Sequence, residues 1–228
     1  IMELTSSIQY LFSESKTPHF VQMHAGELDQ AKVHTWAEDQ PMVAQHQIVE
    51  MVNIDGANLF LGAESEKNSV MDIDFVAQNQ DFDYLLNLNN EIIQVNDGEI
   101  AVPVYYMQQN HLSVGDQIRI DNGPFERSYT IVDFVRDAQM NPSVVHSKRF
   151  VVSPDNLMEL KQGVGEMEYL IEFRLTDLGQ IGEFTQAYQN AGLPNAGPVV
   201  AYGLFQLLNA MTDGVIAAVI ILVSLVLI

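Results

Sequence analysis

Residues 168–202 read EYLIEFRLTDLGQIGEFTQAYQNAGLPNAGPVVAY, and they divide into three pieces with different periodicities. Glu168–Leu175 is dense in aromatic and branched side chains over eight positions, the composition of a strand. Leu178–Ala191 has the spacing of a helix, and Pro198–Tyr202 returns to a strand pattern. The same order occurs near the other end of the chain. His19–His24 is strand-like, Leu28–Gln40 is helical and stops before Pro41, and Val43–Val52 alternates as a strand before the turn-prone Asn53-Ile-Asp-Gly56. At a shift of 150 residues, Leu28, Gln30, Thr35 and Ala37 fall on Leu178, Gln180, Thr185 and Ala187. Two βαβ units of this kind, packed side by side, give an α+β fold: a split βαβ, ferredoxin-like layer with its helices on one face.

Between the two units the pattern changes. From Asp72 to Pro154 the apolar stretches are short and the turns frequent, as in Asn96-Asp-Gly98, Val114-Gly-Asp116 and Asp121-Asn-Gly-Pro124. Ile118 and Ile120 alternate with polar neighbours, and Tyr129, Ile131 and Val132 open a further strand. This predicts a small β-rich subdomain inserted between the halves of the layer, with a helical turn over Asp81–Asn87. The expected organisation is an N-terminal stalk helix at 1–17, a first βαβ unit at 18–71, and the insertion at 72–154. A second βαβ unit at 155–203 follows, then a stalk and the start of a membrane helix at 204–228. In the first stalk, Leu4, Ile8, Leu11 and Phe12 form one apolar stripe; in the second, Leu204, Leu207, Leu208 and Met211 do.

The last fourteen residues, Val215–Ile228, contain one polar side chain, Ser224. A helical membrane crossing takes about 20 residues, so the run reads as the outer part of a transmembrane helix. The alternative is a buried C-terminal helix, which would usually keep a polar face. Arg174 is the last basic residue, and Asp213 is the charge beside the apolar run. Cytoplasmic flanks are rich in Lys and Arg, so residues before about 214 are expected outside a bacterial cell, at the cell membrane. The opening residues lack a basic region and a clean apolar core, so they do not form a signal peptide. An exterior domain without one implies an earlier membrane helix.

Thirty acidic residues against ten basic ones give a formal charge of −20, which argues against nucleic acid or anionic lipid as a partner. With no cysteine, there is no disulfide framework or thiolate chemistry. The six histidines, His19, His24, His34, His46, His111 and His146, form neither HxxxH nor HExxH, and they read as surface or junction residues. His24 and Glu27 could meet at a strand–helix junction. Asn53–Asn58 echoes part of a calcium loop but lacks its terminal acid, and reads as a turn. Gln162-Gly-Val-Gly-Glu166 has too few glycines for a phosphate cradle and no following lysine. No GxSxG elbow occurs. The ten methionines, among them Met23, Met42, Met51, Met107 and Met211, are scattered as core fillers. No residue is assigned as catalytic, cofactor-binding or metal-ligating.

Glu99-Ile-Ala-Val-Pro-Val-Tyr-Tyr-Met107 followed by His111-Leu-Ser-Val-Gly-Asp-Gln-Ile-Arg-Ile120 resembles the central pattern of the large extracytoplasmic domains of MacB/FtsX-like ABC transporter permeases. The turn is written Val114-Gly115-Asp116. The resemblance implies a domain held between the first and second transmembrane helices of a permease that works as a dimer. It would couple a cytoplasmic ABC ATPase to export of a substrate, or to mechanical signalling to an extracellular or periplasmic partner protein. It implies no enzyme activity and no cofactor in this chain, because ATP hydrolysis belongs to a separate nucleotide-binding domain or subunit. Two rival readings stand beside it: a membrane-anchored binding or sensor module without transport, and a secreted hydrolase using an acid pair.

Overall fold

The computed structural model describes residues 9–140 and 146–195 and the backbone of 199–200. It shows a mixed α+β protein. The stalk stripe at 1–8, the second stalk at 204–214 and the apolar run at 215–228 lie outside the described residues. Among the described residues, no helix is long and apolar enough to cross a membrane.

The chain divides into two compact units. The first comprises residues from both ends, Ile1–Val49 and Glu168–Ile228. Residues 9–14 are helical (α1). Strand β1 (Phe20–Ala25) leads to helix α2 (Gln30–Glu38), whose first turn is capped by Asp29 accepting from the Lys32 amide at 3.1 Å. Strand β2 (Val43–Ile54) runs two residues beyond the sequence expectation. Asp55 then accepts from the Ala57 amide and caps a 3-10 turn at Gly56–Asn58. The second set comprises β9 (Glu166–Leu175), a 3-10 turn at Leu178–Gln180 capped by Asp177, helix α5 (Ile181–Asn190) and β10 (Val199–Val200). The helix expected over Leu178–Ala191 thus begins with a tighter turn, because the Asp177 side chain takes up the Gly179 amide.

In the first unit the strand order is β10-β1-β9-β2, so β9 lies between the two strands of the first βαβ segment. β1 is antiparallel to β9 and to β10. Both helices pack on the same sheet residues. Val33 and Ala37 of α2 and Ile181, Phe184 and Tyr188 of α5 lie at i, i+3/i+4 spacing and meet Phe20, Ile171 and Phe173. Phe20 lies 5.1 Å from Phe184 and 4.9 Å from Tyr188, while Trp36 meets Phe184 at 5.7 Å. Such aromatic pairs contribute ~1 kcal/mol each beyond area burial.

The second unit, Glu50–Met167, starts earlier and ends later than the insertion read from sequence as 72–154. Its elements are β3 (Leu59–Phe60), β4 (Asp72–Val76), β5 (Glu99–Pro103), α3 (Val104–Asn110), β6 (Gln117–Asp121), β7 (Glu126–Val135), β8 (Ser147–Val151) and α4 (Pro154–Gly163). The last residues of β2 pair antiparallel with β4, and from β4 the order is β4-β8-β5-β7-β6-β3. β4–β8 and β5–β7 are parallel, the latter with a bulge between Ile100 and Ala101. This unit is β-rich, as expected, but its parallel pairs and two helices distinguish it from a meander of hairpins.

The helical turn expected over Asp81–Asn87 does not form. Asp83 takes φ 55°, which ends any right-handed helix, and its carboxylate is drawn into a buried ion cluster instead.

Candidate functional site

The motif residues occupy one corner of the second unit. Pro103 ends β5 and sits directly before α3, where its missing N–H costs the helix nothing. His111 closes α3 in the left-handed region (φ 53°, ψ 42°), and the Leu112 amide donates to the Met107 carbonyl at 3.1 Å. Val114-Gly115-Asp116 forms the turn into β6. The Asp116 carboxylate accepts from the Ser113 amide at 2.8 Å, the Gly115 amide donates to the Ile131 carbonyl, and the Ile131 amide donates back to the Asp116 carbonyl. Gly115 has φ +96°, and a Cβ there would meet nothing within 4 Å. The glycine is therefore required by backbone conformation and not by crowding.

Beside α3 lies an open cleft of about 330 Å³ lined by Ser65, Glu66, Asn68, Ser69, Val70, Tyr105, Tyr106, Gln109 and Asn110. The Tyr106 hydroxyl shares a 3.1 Å hydrogen bond with Ser69, and Asn110 donates to Glu66 at 2.8 Å. Burial pushes the Tyr106 phenol up to about 12, with Glu66 adding to the shift. At neutral pH the phenol therefore acts as a hydrogen-bonding group and does not serve as a base. The lining holds amides, hydroxyls, two phenols and one carboxylate. It can hold a polar ligand by hydrogen bonds.

The strongest electrostatic feature of the second unit is buried. Arg149 on β8 is 1% exposed and forks onto two carboxylates. Its Nε and Nη2 donate to Asp137 at 2.6 and 2.7 Å, and its Nη1 and Nη2 donate to Asp83 at 2.7 and 3.1 Å. Burial alone would raise the Asp137 pKa. The Arg149 charge and its hydrogen bonds, with amides of Gln139 and Met140, hold it below the usual carboxylate range. The neighbouring Lys148, lowered by burial, donates to the Met140 carbonyl at 2.9 Å. Two bidentate contacts satisfy the guanidinium internally, so the cluster is a structural pin, and sequence reading missed it altogether.

The histidines are dispersed. His19 is buried, and its Nδ1 accepts from the Leu175 amide at 2.8 Å; burial and Arg174 lower its pKa to about 4. His24 and Glu27 do meet, through the Glu27 backbone carbonyl at 2.8 Å and not its carboxylate. His111 and His146 are exposed. His34 and His46 are the pair brought together, with ring nitrogens 3.0 Å apart. No group of three or more His, Asp or Glu converges among the described residues. Gly163 and Gly165 of the weak glycine stretch serve packing, since a Cβ would fall 2.5 Å from the Phe125 ring and 2.1 Å from Val52. Of the methionines, Met51 and Met140 are buried, Met42 and Met107 pack against the two cores, and Met158 is exposed. Met211 lies outside the described residues.

No family model and no curated protein matches the chain. Solved structures do. The periplasmic region of MacB from Actinobacillus actinomycetemcomitans is similar over 90% of this chain and 99% of its own, at 10% identity and a TM-score of 0.47. The extracellular domain of the noncanonic ABC-type transporter YknZ from Gram-positive bacteria is similar over 79% and 99%, at 10% identity and a TM-score of 0.38. A domain of a permease protein from Porphyromonas gingivalis covers 75% and 82%, at 12% identity and a TM-score of 0.38. No residue role is carried across from these structures to this chain.

Proposed function

We propose that this chain is the extracytoplasmic domain of an ABC-type permease, looped out between the first and second transmembrane helices. The observation that carries this reading is the pairing of Val21 with Val200. The start of β1 and the end of β10 thus lie on neighbouring strands, about 5 Å apart. Packed membrane helices stand about 8–10 Å apart, so an insert between two of them needs ends this close. The strand order β10-β1-β9-β2, with both helices packed on Phe20 and Phe173, supports a split βαβ, ferredoxin-like layer as the base of the domain. The apolar run from Val215 begins shortly after β10 in sequence and supplies the second membrane helix.

In this reading the domain binds no cofactor and catalyses nothing. ATP hydrolysis takes place on a cytoplasmic nucleotide-binding domain or subunit, and a permease dimer carries the cycle across the membrane. The domain passes that movement to an exported substrate or an exterior partner protein. Cysteine labelling tests the placement, because these 228 residues contain no cysteine and any cysteine elsewhere in the full-length protein is first replaced by serine. Val70→Cys and Met158→Cys occupy exposed positions, 73% and 55% accessible. In cells making the full-length protein, a membrane-impermeant maleimide should label both without lysis. Labelling that appears only after lysis contradicts the placement.

A further inference from the structure

In the first unit, α2 and β2 bring two imidazoles together. His46 Nε2 and His34 Nδ1 are 3.0 Å apart, with ring centroids 5.1 Å apart and planes inclined at 53°. Both side chains are half-buried, so their outer edges reach solvent. His46 is fixed from behind by stacking on the buried Phe173 ring at 27°. Glu38 lies one helical turn after His34 and is near enough to His46 to act on its charge.

We propose that His34 and His46 form a binding site for a divalent first-row transition ion of the zinc class. Imidazole nitrogens hold such an ion at about 2.0–2.1 Å, which sets two donors on a tetrahedral centre about 3.3 Å apart. The observed 3.0 Å needs an opening of only a few tenths of an ångström. As neutral rings, one donates its N–H to the other. On metal binding the donating ring moves that proton to its other nitrogen, so both facing lone pairs turn to the ion and no proton is lost. Hard ions such as Mg²⁺ and Ca²⁺ are disfavoured, since they select oxygen donors. Water fills the remaining positions.

Calorimetric titration of the full-length protein with ZnCl₂ tests the site, beside the single variants His34→Ala and His46→Ala and the control variants His24→Ala and His111→Ala. The expected result is one saturable binding event that is about tenfold or more weaker in either pair variant and unchanged in the controls. Zn²⁺ should also raise the melting temperature of the parent protein but not of the double variant His34→Ala/His46→Ala. The melting curve without metal shows that each variant is folded. Absence of binding at millimolar Zn²⁺, or an isotherm that survives the double substitution, overturns the proposal.

Discussion

His19 shows how one side chain ties stability to pH. Its Nδ1 accepts from the Leu175 amide inside the first unit, so the folded protein holds the ring neutral, with a pKa lowered from 6.5 to about 4. An unfolded chain protonates the ring at about 6.5. Because the folded value is the lower one, the contribution is complete above pH 6.5 and is lost as pH falls from 6.5 towards 4. After discounting for solvent screening, the effect is on the order of 2 kcal/mol. The melting temperature should therefore drop between pH 7 and 4.5. His19→Asn, which keeps an acceptor for the Leu175 amide, should flatten that slope; an unchanged slope would assign it elsewhere. Backbone conformation decides two other positions. Gly115→Ala forces a side chain onto φ +96° and should cost about 1–2 kcal/mol. His111→Gly relieves a left-handed residue and should gain about 0.5–1 kcal/mol. Urea unfolding measures both. The Gly115-Asp116 turn was legible in sequence because its hydrogen bonds are local. The Arg149 cluster was not, because Asp83 lies 66 positions away and Asp137 lies 12.

At the scale of elements, the stretch between β4 and β5, residues 77–98, forms no helix and only isolated bridges, yet it is closely tied down. The Gln78 amide donates to the carbonyls of Leu85 and Ile93, and its oxygen accepts from the Leu85 amide. Asn87 accepts from the amides of Asn89 and Glu91 and donates to Asp133. Arg149 holds Asp83 from below. These side chains replace the backbone ladder that a strand or helix would provide. Periodicity cannot reveal such a segment, which is why a helical turn over 81–87 was the natural reading. Arg149→Met leaves two buried carboxylates without their cation and should cost about 3–5 kcal/mol. Because the folded Asp137 pKa is depressed, its contribution is present above the ordinary carboxylate value and is lost as pH falls through the lower, folded one. The parent protein should therefore lose stability in acid more steeply than Arg149→Met, as chemical denaturation at pH 7 and pH 3 will show. The elements β1, α2, β2, β9 and α5 were legible because each carries its own period, and α2 its own cap at Asp29. Strand order was not written locally: β9 reaches its place between β1 and β2 only after the whole second unit has intervened.

For the whole molecule, the division into units explains why a linear reading put the boundaries elsewhere. β2 and β9 each contribute residues to both units, Val43–Val49 and Glu168–Leu175 to the first, Glu50–Ile54 and Glu166–Met167 to the second. Composition changes near 72 and 154, but contacts change within the strands. In the first unit β10 lies beside β1, with Val200 paired to Val21. That adjacency is the basis for the proposal that the domain is held between two membrane helices. The most direct measurement is ATP hydrolysis by the full-length protein, affinity-purified from detergent-solubilised membranes without added subunits. An ABC-type ATPase should accompany it, fused or as a subunit, with activity abolished when the nucleotide-binding lysine of that ATPase is replaced. A full-length protein that purifies with no ATPase partner and no ATP hydrolysis would contradict it.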